Sequence, residues 1–370
     1  MPDSDLPAIE RAALHLYRIF DTSNSIDIER GRTLLAAPSA RVRPVVSRGG
    51  NIEIPQLPLE LSLGEACLEL AGRQFSAQLY ARIYDLGILA FRLVIALPEP
   101  ITWDDATDLL ASAQSYPEPV KDIFTRGLDT LRTTLAAAMR RPNATVRDEE
   151  YAILVVERLG LGEPASRLAR RPELLRVALG ERRPLSESAG SLATTLSYYA
   201  DDLMLLTWTA AVVIEPEAEA RDDATLLLEF ANVQLLALRT FDAEVDRELA
   251  AVAPAVAAHA RGPVWIRLRS SRRFLRELNG LIFDITDTSA RIENALKVSE
   301  DVYWNRVYAA ALQVLRVQVW RAGVDEALSV LRQMATALHD EAYTSYTNLL
   351  EVLVIVLITV EIVVAVVERH

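Results

Sequence analysis

Paired carboxylates are the first residues whose type and spacing could do chemistry. They occur at Asp104-Asp105, Asp201-Asp202 and Asp222-Asp223. A pair of aspartates can hold a divalent ion, and such an ion activates water for hydrolysis. Adjacent side chains point in different directions, however, so each pair is also read as a helix cap or a solvated turn. Asp201-Asp202 stands directly before an apolar run. It carries the one enzymatic reading, a metal-dependent hydrolase or nuclease. The single cysteine, Cys67, lies in an apolar stretch without a basic neighbour and reads as a buried, inert thiol. His15 reads as a packed or edge residue of the first strand rather than a ligand, and His259, His339 and His370 show no metal-ligand spacing. The sequence has no glycine-rich nucleotide loop and no nucleophile elbow. The expectation is a protein without cofactor or metal, and not an enzyme.

Arginines suggest another role. Arg261, Arg267, Arg269, Arg272, Arg273 and Arg276 fall close together around Trp265 and Phe274. Arg167, Arg170, Arg171, Arg176, Arg182 and Arg183 form a second group. Basic side chains near an anionic membrane gain about 1 kcal/mol each, and the same chemistry meets RNA phosphates. The alternative is pairing within the chain, since acids are in excess and the net charge is −12. That charge argues against a broad nucleic-acid surface, while local RNA contact at the first cluster stays open. The patch carried forward is Arg267, Arg269, Arg272, Arg273 and Arg276.

The elements that must position these groups change character along the chain. Residues 8–100 read as mostly β, with period-two alternation at 57–63 and 77–83. Gln78, Tyr80 and Arg82 share one face of the second stretch. Residues 14–20 predict a strand ending in a polar turn at 21–25, then a helix over 28–35 capped by Ser25 or Asp27. Gly87 predicts a turn before a strand at 88–97. Thr102 predicts a helix cap, and Val120, Ile123, Phe124, Leu128, Leu131 and Leu135 recur at helical spacing. Residues 151–156 predict a strand, 165–179 a helix broken by Pro172, and 203–214 a buried strand or hairpin half.

After Pro216 the pattern is helical. Asp222 or Asp223 predicts a cap, and a break follows at Arg261-Gly262-Pro263. Leu278, Ile282, Ile285, Ile292 and Leu296, with Ser289 and Ser299, alternate steps of four and three. That is a heptad seam suited to a homo-oligomer. Gly323 predicts a kink or break. The fold class expected is an α+β part over 1–215, then long helices forming a hairpin, bundle or coiled coil over 216–340. A hydrophobic helix over 341–370 completes it.

That last segment reads LLEVLVIVLITVEIVVAVV over residues 349–367. A helix of this length matches a hydrocarbon core of about 30 Å. Leu350, Leu353, Ile355, Leu357, Ile358 and Ile362 would meet membrane lipid, and Tyr343 and Tyr346 sit where interfacial aromatics belong. Glu361 opposes insertion by about 2.5 kcal/mol or more, and each Leu, Ile or Val returns about 0.3–0.6. The alternatives are a helix buried at the centre of a soluble homo-oligomer, with Glu361 bonded across subunits, and an unusually long strand. The acidic N-terminus lacks a secretory or transit pattern, which places the N-terminal part in the cytoplasm.

Three blocks carry a family resemblance: residues 198–208, residues 228–242 and residues 350–362. Together they resemble the "required for meiotic nuclear division" family, as a bacterial-type member. The resemblance implies an α+β first part, long helices, a C-terminal hydrophobic segment containing a glutamate, and membrane association. It implies no catalytic residues. The functional expectation is a non-enzymatic, C-terminally anchored, oligomeric scaffold or tether whose protein partner is unspecified.

Overall fold

Strands that are apolar at every position need cover on both faces, whereas alternating strands need cover on one. Both kinds occur here. The computed structural model describes residues 6–35, 42–44, 52–53, 56–160, 162, 164–261, 264–294, 297–298 and 301–367. In chain order the elements begin β1 (Ile9–Ile26), α1 (Ile28–Leu35), β2 (Val42–Pro44), β3 (Ile52–Glu53), β4 (Leu59–Leu70), β5 (Arg73–Ile83) and β6 (Ile88–Ala96). Then come α2 (Trp103–Ala113), α3 (Glu118–Leu135), β7 (Met139–Leu159), α4 (Ala165–Leu168), α5 (Pro172–Leu179), β8 (Thr194–Leu196), β9 (Leu203–Leu206) and β10 (Ala210–Ile214). The remainder is α6 (Ala218–Arg261), α7 (Val264–Asn294), β11 (Lys297–Val298), α8 (Val302–Val314) and α9 (Val317–Val367).

The chain divides into two units, and the division does not follow chain order. One unit is Met1–Thr240 with Arg291–Trp320, and the other is Phe241–Ala290 with Arg321–His370. The first is a mixed nine-stranded sheet in the order β2-β4-β5-β6-β1-β7-β10-β9-β8. The β10–β7 pair is parallel and the other pairs are antiparallel. Leu14, Leu16, Phe91, Leu154 and Val212 point to one face, where α2, α3 and α5 cover them through Leu110, Phe124, Leu128 and Val177. Tyr17, Ile19, Ile153, Val155 and Val213 point to the other, under Leu227, Phe230 and Val233 of α6 and Trp304 and Val307 of α8. The strands β1, β7 and β10 are central and lie under both layers, which explains their near-continuous apolar runs.

Within the second unit, segments of α6, α7 and α9 surround a smaller core of Phe241, Val245, Leu278, Ile285, Val324, Leu328 and Leu331. Among the described residues, one stretch, Ala218–Arg247 of α6, is long and apolar enough to cross a membrane. Its most apolar window is 83% buried inside the protein, where it supplies the cover for the sheet.

Several local expectations change. The polar stretch 21–25 is not a turn. It prolongs β1, pairing Asp21 with Arg147 and Ser25 with Arg140 on the equally long β7. Asp27 caps α1 by accepting from Arg30 N at 3.0 Å. Helix α6 starts at Ala218, so Asp222 and Asp223 lie inside it rather than at its cap. Gly323 neither kinks nor ends a helix, because α9 runs through it. A β-carbon there would stand 2.6 Å from Asp242 Oδ1, so the glycine leaves room for that side chain in its present position. The interruption falls instead at Arg316, whose φ is 47°. Cys67 lies on β4 and is exposed, because β4 alternates and Cys67 falls on its outward side.

Gly87 closes the tight β5–β6 turn with φ +83°, and a β-carbon would sit 1.6 Å from the Ser23 carbonyl oxygen. The Gly87 carbonyl accepts from Thr22 N at 3.0 Å and from the Thr22 hydroxyl at 2.7 Å. Replacing Gly87 by alanine forces both strain and overlap, each able to cost 1 kcal/mol or more. Urea denaturation of Gly87→Ala is expected to show a loss of about 3 kcal/mol; an unchanged midpoint would refute this account of the turn.

Candidate functional site

Polar side chains on the α6-facing side of the sheet form two groups. The first is buried and crosses three strands. Glu60 on β4 is the cross-strand partner of Arg82 on β5, and Arg92 follows on β6 beside Tyr17 of β1. Arg82 contacts Glu60 Oε2 through Nε at 2.9 Å and through Nη2 at 2.8 Å. Its Nη1 donates to Glu229 Oε2 of α6 at 2.7 Å, and the Tyr84 hydroxyl donates to Glu229 Oε1 at 2.7 Å. Arg92 reaches Glu60 Oε2 at 3.4 Å. Glu60, Arg82 and Glu229 are only 3%, 8% and 2% exposed.

Two positive and two negative groups thus compensate one another away from water. Burial acts against the charge on Arg82, but the fields of Glu229, Tyr84 and Glu60 outweigh it and raise its pKa. Burial and the neighbouring Glu229 likewise keep the Tyr84 phenol protonated. His15, on the same face of β1, is held neutral by burial and then by the charges of Arg92, Arg82 and Arg221. His15 Nδ1, the Tyr17 hydroxyl and Arg92 Nε lie buried without a protein partner. Buried waters are the usual partners of such atoms.

The second group lies where the sheet ends in β9 and β8. Asp202 turns the chain before β9, accepting from Tyr198 N at 2.8 Å and Tyr199 N at 3.1 Å. That turn sets Tyr198 against Tyr199, with centroids 4.8 Å apart, and against Tyr303 of α8 at 5.1 Å. Tyr303 in turn packs edge-on against Trp304 at 5.3 Å. Tyr198 and Tyr199 are exposed, whereas Trp304 is buried. Glu215 ends β10 beside them and accepts from Glu217 N at 2.9 Å. Burial, then the charges of Asp202, Glu217 and Asp201, raise the Glu215 pKa to about 7 against the pull of the Glu217 amide. The corner is acidic, aromatic and open.

The carboxylate pairs named from the sequence have local partners. Asp202 holds the tyrosine turn. Asp105 accepts from its helix cap Thr102 at 2.8 Å and from Arg73 at 2.5 Å. Asp104 lies 3.9 Å from Arg176, and Arg182 of the same arginine group donates to Asp108 at 2.5 Å. Among the described residues no three His, Cys, Asp or Glu side chains converge as metal ligands. His15 packs in the central strand, as its pattern suggests.

Of the proposed seam, Leu278 and Ile285 are buried by α6 and α9 residues of the same chain, with Ile282 packed at the margin. Ile292 joins the core beneath α8, and Leu296 lies outside the described residues. Arg267, Arg269, Arg272 and Arg273 lie on α7 with side chains outside those described, whereas Arg276 is exposed. In α9, Ile355, Leu357 and Ile358 are exposed, and so is Glu361. The side chains of Leu350, Leu353 and Ile362 lie outside those described.

The family model described as the N-terminal domain of the uncharacterized protein MJ0711 matches residues 11–221, more than half of the chain. The chain belongs to this family. The matched region holds β1 to β10, and with them Glu60, Arg82, Arg92, Asp202 and Glu215. Glu229, the helix member of the buried network, lies just beyond it. No curated protein matches the chain.

Sequence reasoning did not single out Glu60 or Glu229. The available signal was a glutamate at an inward position of α6, amid Leu226, Leu227, Leu228 and Phe230, facing a sheet that offers an arginine. Removing one partner of a buried pair leaves the other charge uncompensated, which typically costs about 3–5 kcal/mol. Glu229→Ala is therefore expected to lower unfolding free energy by that amount in urea titration, and a loss below 1 kcal/mol would disprove the role. Glu215 behaves oppositely to a salt-bridged acid. Its folded pKa, near 7, exceeds the ordinary 4.5. Its protonated form therefore suits the fold, and stability is lost as pH rises through that window. The melting temperature is expected to fall between pH 5 and pH 8, and to fall less in Glu215→Gln; equal falls would remove Glu215 as the cause.

Proposed function

We propose that this protein is a membrane-anchored, non-enzymatic tether. The end of α9 holds it to lipid, and the sheet-bearing unit offers a protein-binding face. The observation that carries the reading is the exposure of every residue from 354 to 360. Val354, Ile355, Val356, Leu357, Ile358 and Val360 each remain 50–61% exposed. Seven consecutive helical residues cover all sides of the helix at 3.6 residues per turn. An amphipathic helix hides one stripe and wets the other, whereas this segment is apolar all round, the pattern of a lipid-facing span. Its length in sequence, 349–367, suits a bilayer.

The binding role rests on the acidic corner. Exposed tyrosines are favoured at protein interfaces because each adds a large, rigid contact with a polar tip. Tyr198 and Tyr199 are fixed by Asp202 rather than left loose, so little order is lost when a partner covers them. The resemblance of the second half to the meiotic nuclear division family supports the same anchored arrangement.

The test is membrane fractionation with a carbonate wash. The full chain is expected to stay with the membrane pellet, and Val356→Lys combined with Leu357→Lys is expected to move it to the supernatant. A full chain that remains soluble and elutes as a discrete oligomer would overturn the anchor and favour a bundle of apolar helices.

A further inference from the structure

Away from both polar groups, an open cleft of about 660 Å3 lies in the first unit, where β1 meets α1. Its size falls in the range of about 300–1,000 Å3 that small-molecule sites occupy. The walls are polar. Asp27, Glu29 and Arg32 come from α1 and its cap, Asp85 from the β5–β6 turn, Arg140 from the start of β7 and Arg291 from α7.

Formal charge in the cleft balances, but hydrogen-bonding capacity does not. Asp27 Oδ1 is committed to Arg30 N at 3.0 Å, and Glu29 stands 3.6 Å from Arg32. Burial raises the Asp85 pKa, against the field of Arg291. On the basic side, Arg140 is exposed, and its side chain makes no hydrogen bond or ion pair among the described residues. Arg291 has one long bond, from Nη2 to the Asn24 carbonyl at 3.4 Å, and its Nε has no acceptor. Two guanidinium groups with unused donors thus border the same cleft. The β1–β7 register fixes one of them, since Arg140 is the cross-strand partner of Ser25.

We propose that this cleft binds a small polar anion, a hydroxyl-bearing phosphate ester or carboxylate, between Arg140 and Arg291. Guanidinium groups present planar, charged donors that match such oxygens, and these bonds are about twice as strong as neutral ones. The free oxygen of Asp27 and the carboxyl of Asp85 accept from the hydroxyls of the ligand. Few apolar side chains line the cleft, which disfavours a greasy ligand.

Isothermal titration of the full chain in detergent with glycerol 3-phosphate and with citrate tests the site, with sodium chloride at equal ionic strength as the blank. Saturable binding near one equivalent of either anion is expected. Arg140→Ala should weaken it at least tenfold and leave the circular dichroism spectrum unchanged, since the substitution keeps the backbone pairing with Ser25 and the Arg140 guanidinium has no internal bond among the described residues. Arg291→Ala should weaken it similarly. No saturable heat from either anion, or wild-type affinity in Arg140→Ala, would overturn the proposal.

Discussion

An arginine held between two glutamates, out of water, sets the terms for the sheet-bearing unit. Transferring Arg82, Glu60 and Glu229 into the interior costs several kcal/mol per ion, and only close, hydrogen-bonded partners offset it. Arg82 meets that condition because β4 and β5 bring Glu60 opposite it and α6 brings Glu229 down from above. A slip of one residue in the β4–β5 register would turn Glu60 to the other face, toward Leu59, Leu61 and α3. A shift of α6 by one turn would leave Arg82 half-compensated. A buried pair of this kind is weak evidence for net stability, but its geometry constrains the register of β4 on β5 and the rotation of the first segment of α6 over the sheet.

Helix α6 contributes residues to the core of each unit. Its segment up to Thr240 covers the sheet, and its continuation belongs to the second core. Glu229 fixes the rotation of the first segment. The two long strands β1 and β7 act similarly at the other end of the unit. Their extension past Asp21 carries Ser25 and Arg140 beyond the central layers and shapes the cleft there.

Much of this architecture was legible in the sequence, and the failures have physical reasons. Alternation in 77–83 and helical spacing from Val120 to Leu135 describe a sheet face and a helix face, and both reappear. Residues 203–214, read as one buried strand or hairpin half, are buried but form a whole hairpin, because the chain reverses at Thr207, whose N donates to the Ala210 carbonyl, and β9 pairs with β10. Asp21 to Ser25 looked like a turn because polar residues usually end strands, yet β7 is long enough to keep pairing with them. Gly323 looked like a helix break because glycine has poor helix propensity, whereas α9 runs through it and the space beside it holds the Asp242 side chain. The carboxylate pair at Asp201-Asp202 was visible, but not the corner it builds, since Tyr303 and Glu215 arrive from distant segments. Glu60 and Glu229 escaped notice because each is an ordinary charged residue until the fold places an arginine between them.

The two most apolar helical stretches differ in burial. Ala218–Arg247 passes a length-and-hydropathy test for crossing a membrane, yet lies mostly within the protein. Its apolar side chains are matched by Ile19, Ile153 and Val213 on the sheet, so water is already excluded. Residues 354–360 have no such match among the described residues. Removing a Val, Leu or Ile side chain from water stabilises by about 1.5–3 kcal/mol when complete. Six such side chains on half-exposed positions therefore hold on the order of 5 kcal/mol or more in reserve. Glu361 opposes its use by about 2.5–3.5 kcal/mol at a bilayer centre and by less toward an interface. If the segment leaves water as proposed, that reserve exceeds the cost of one carboxyl near its far end.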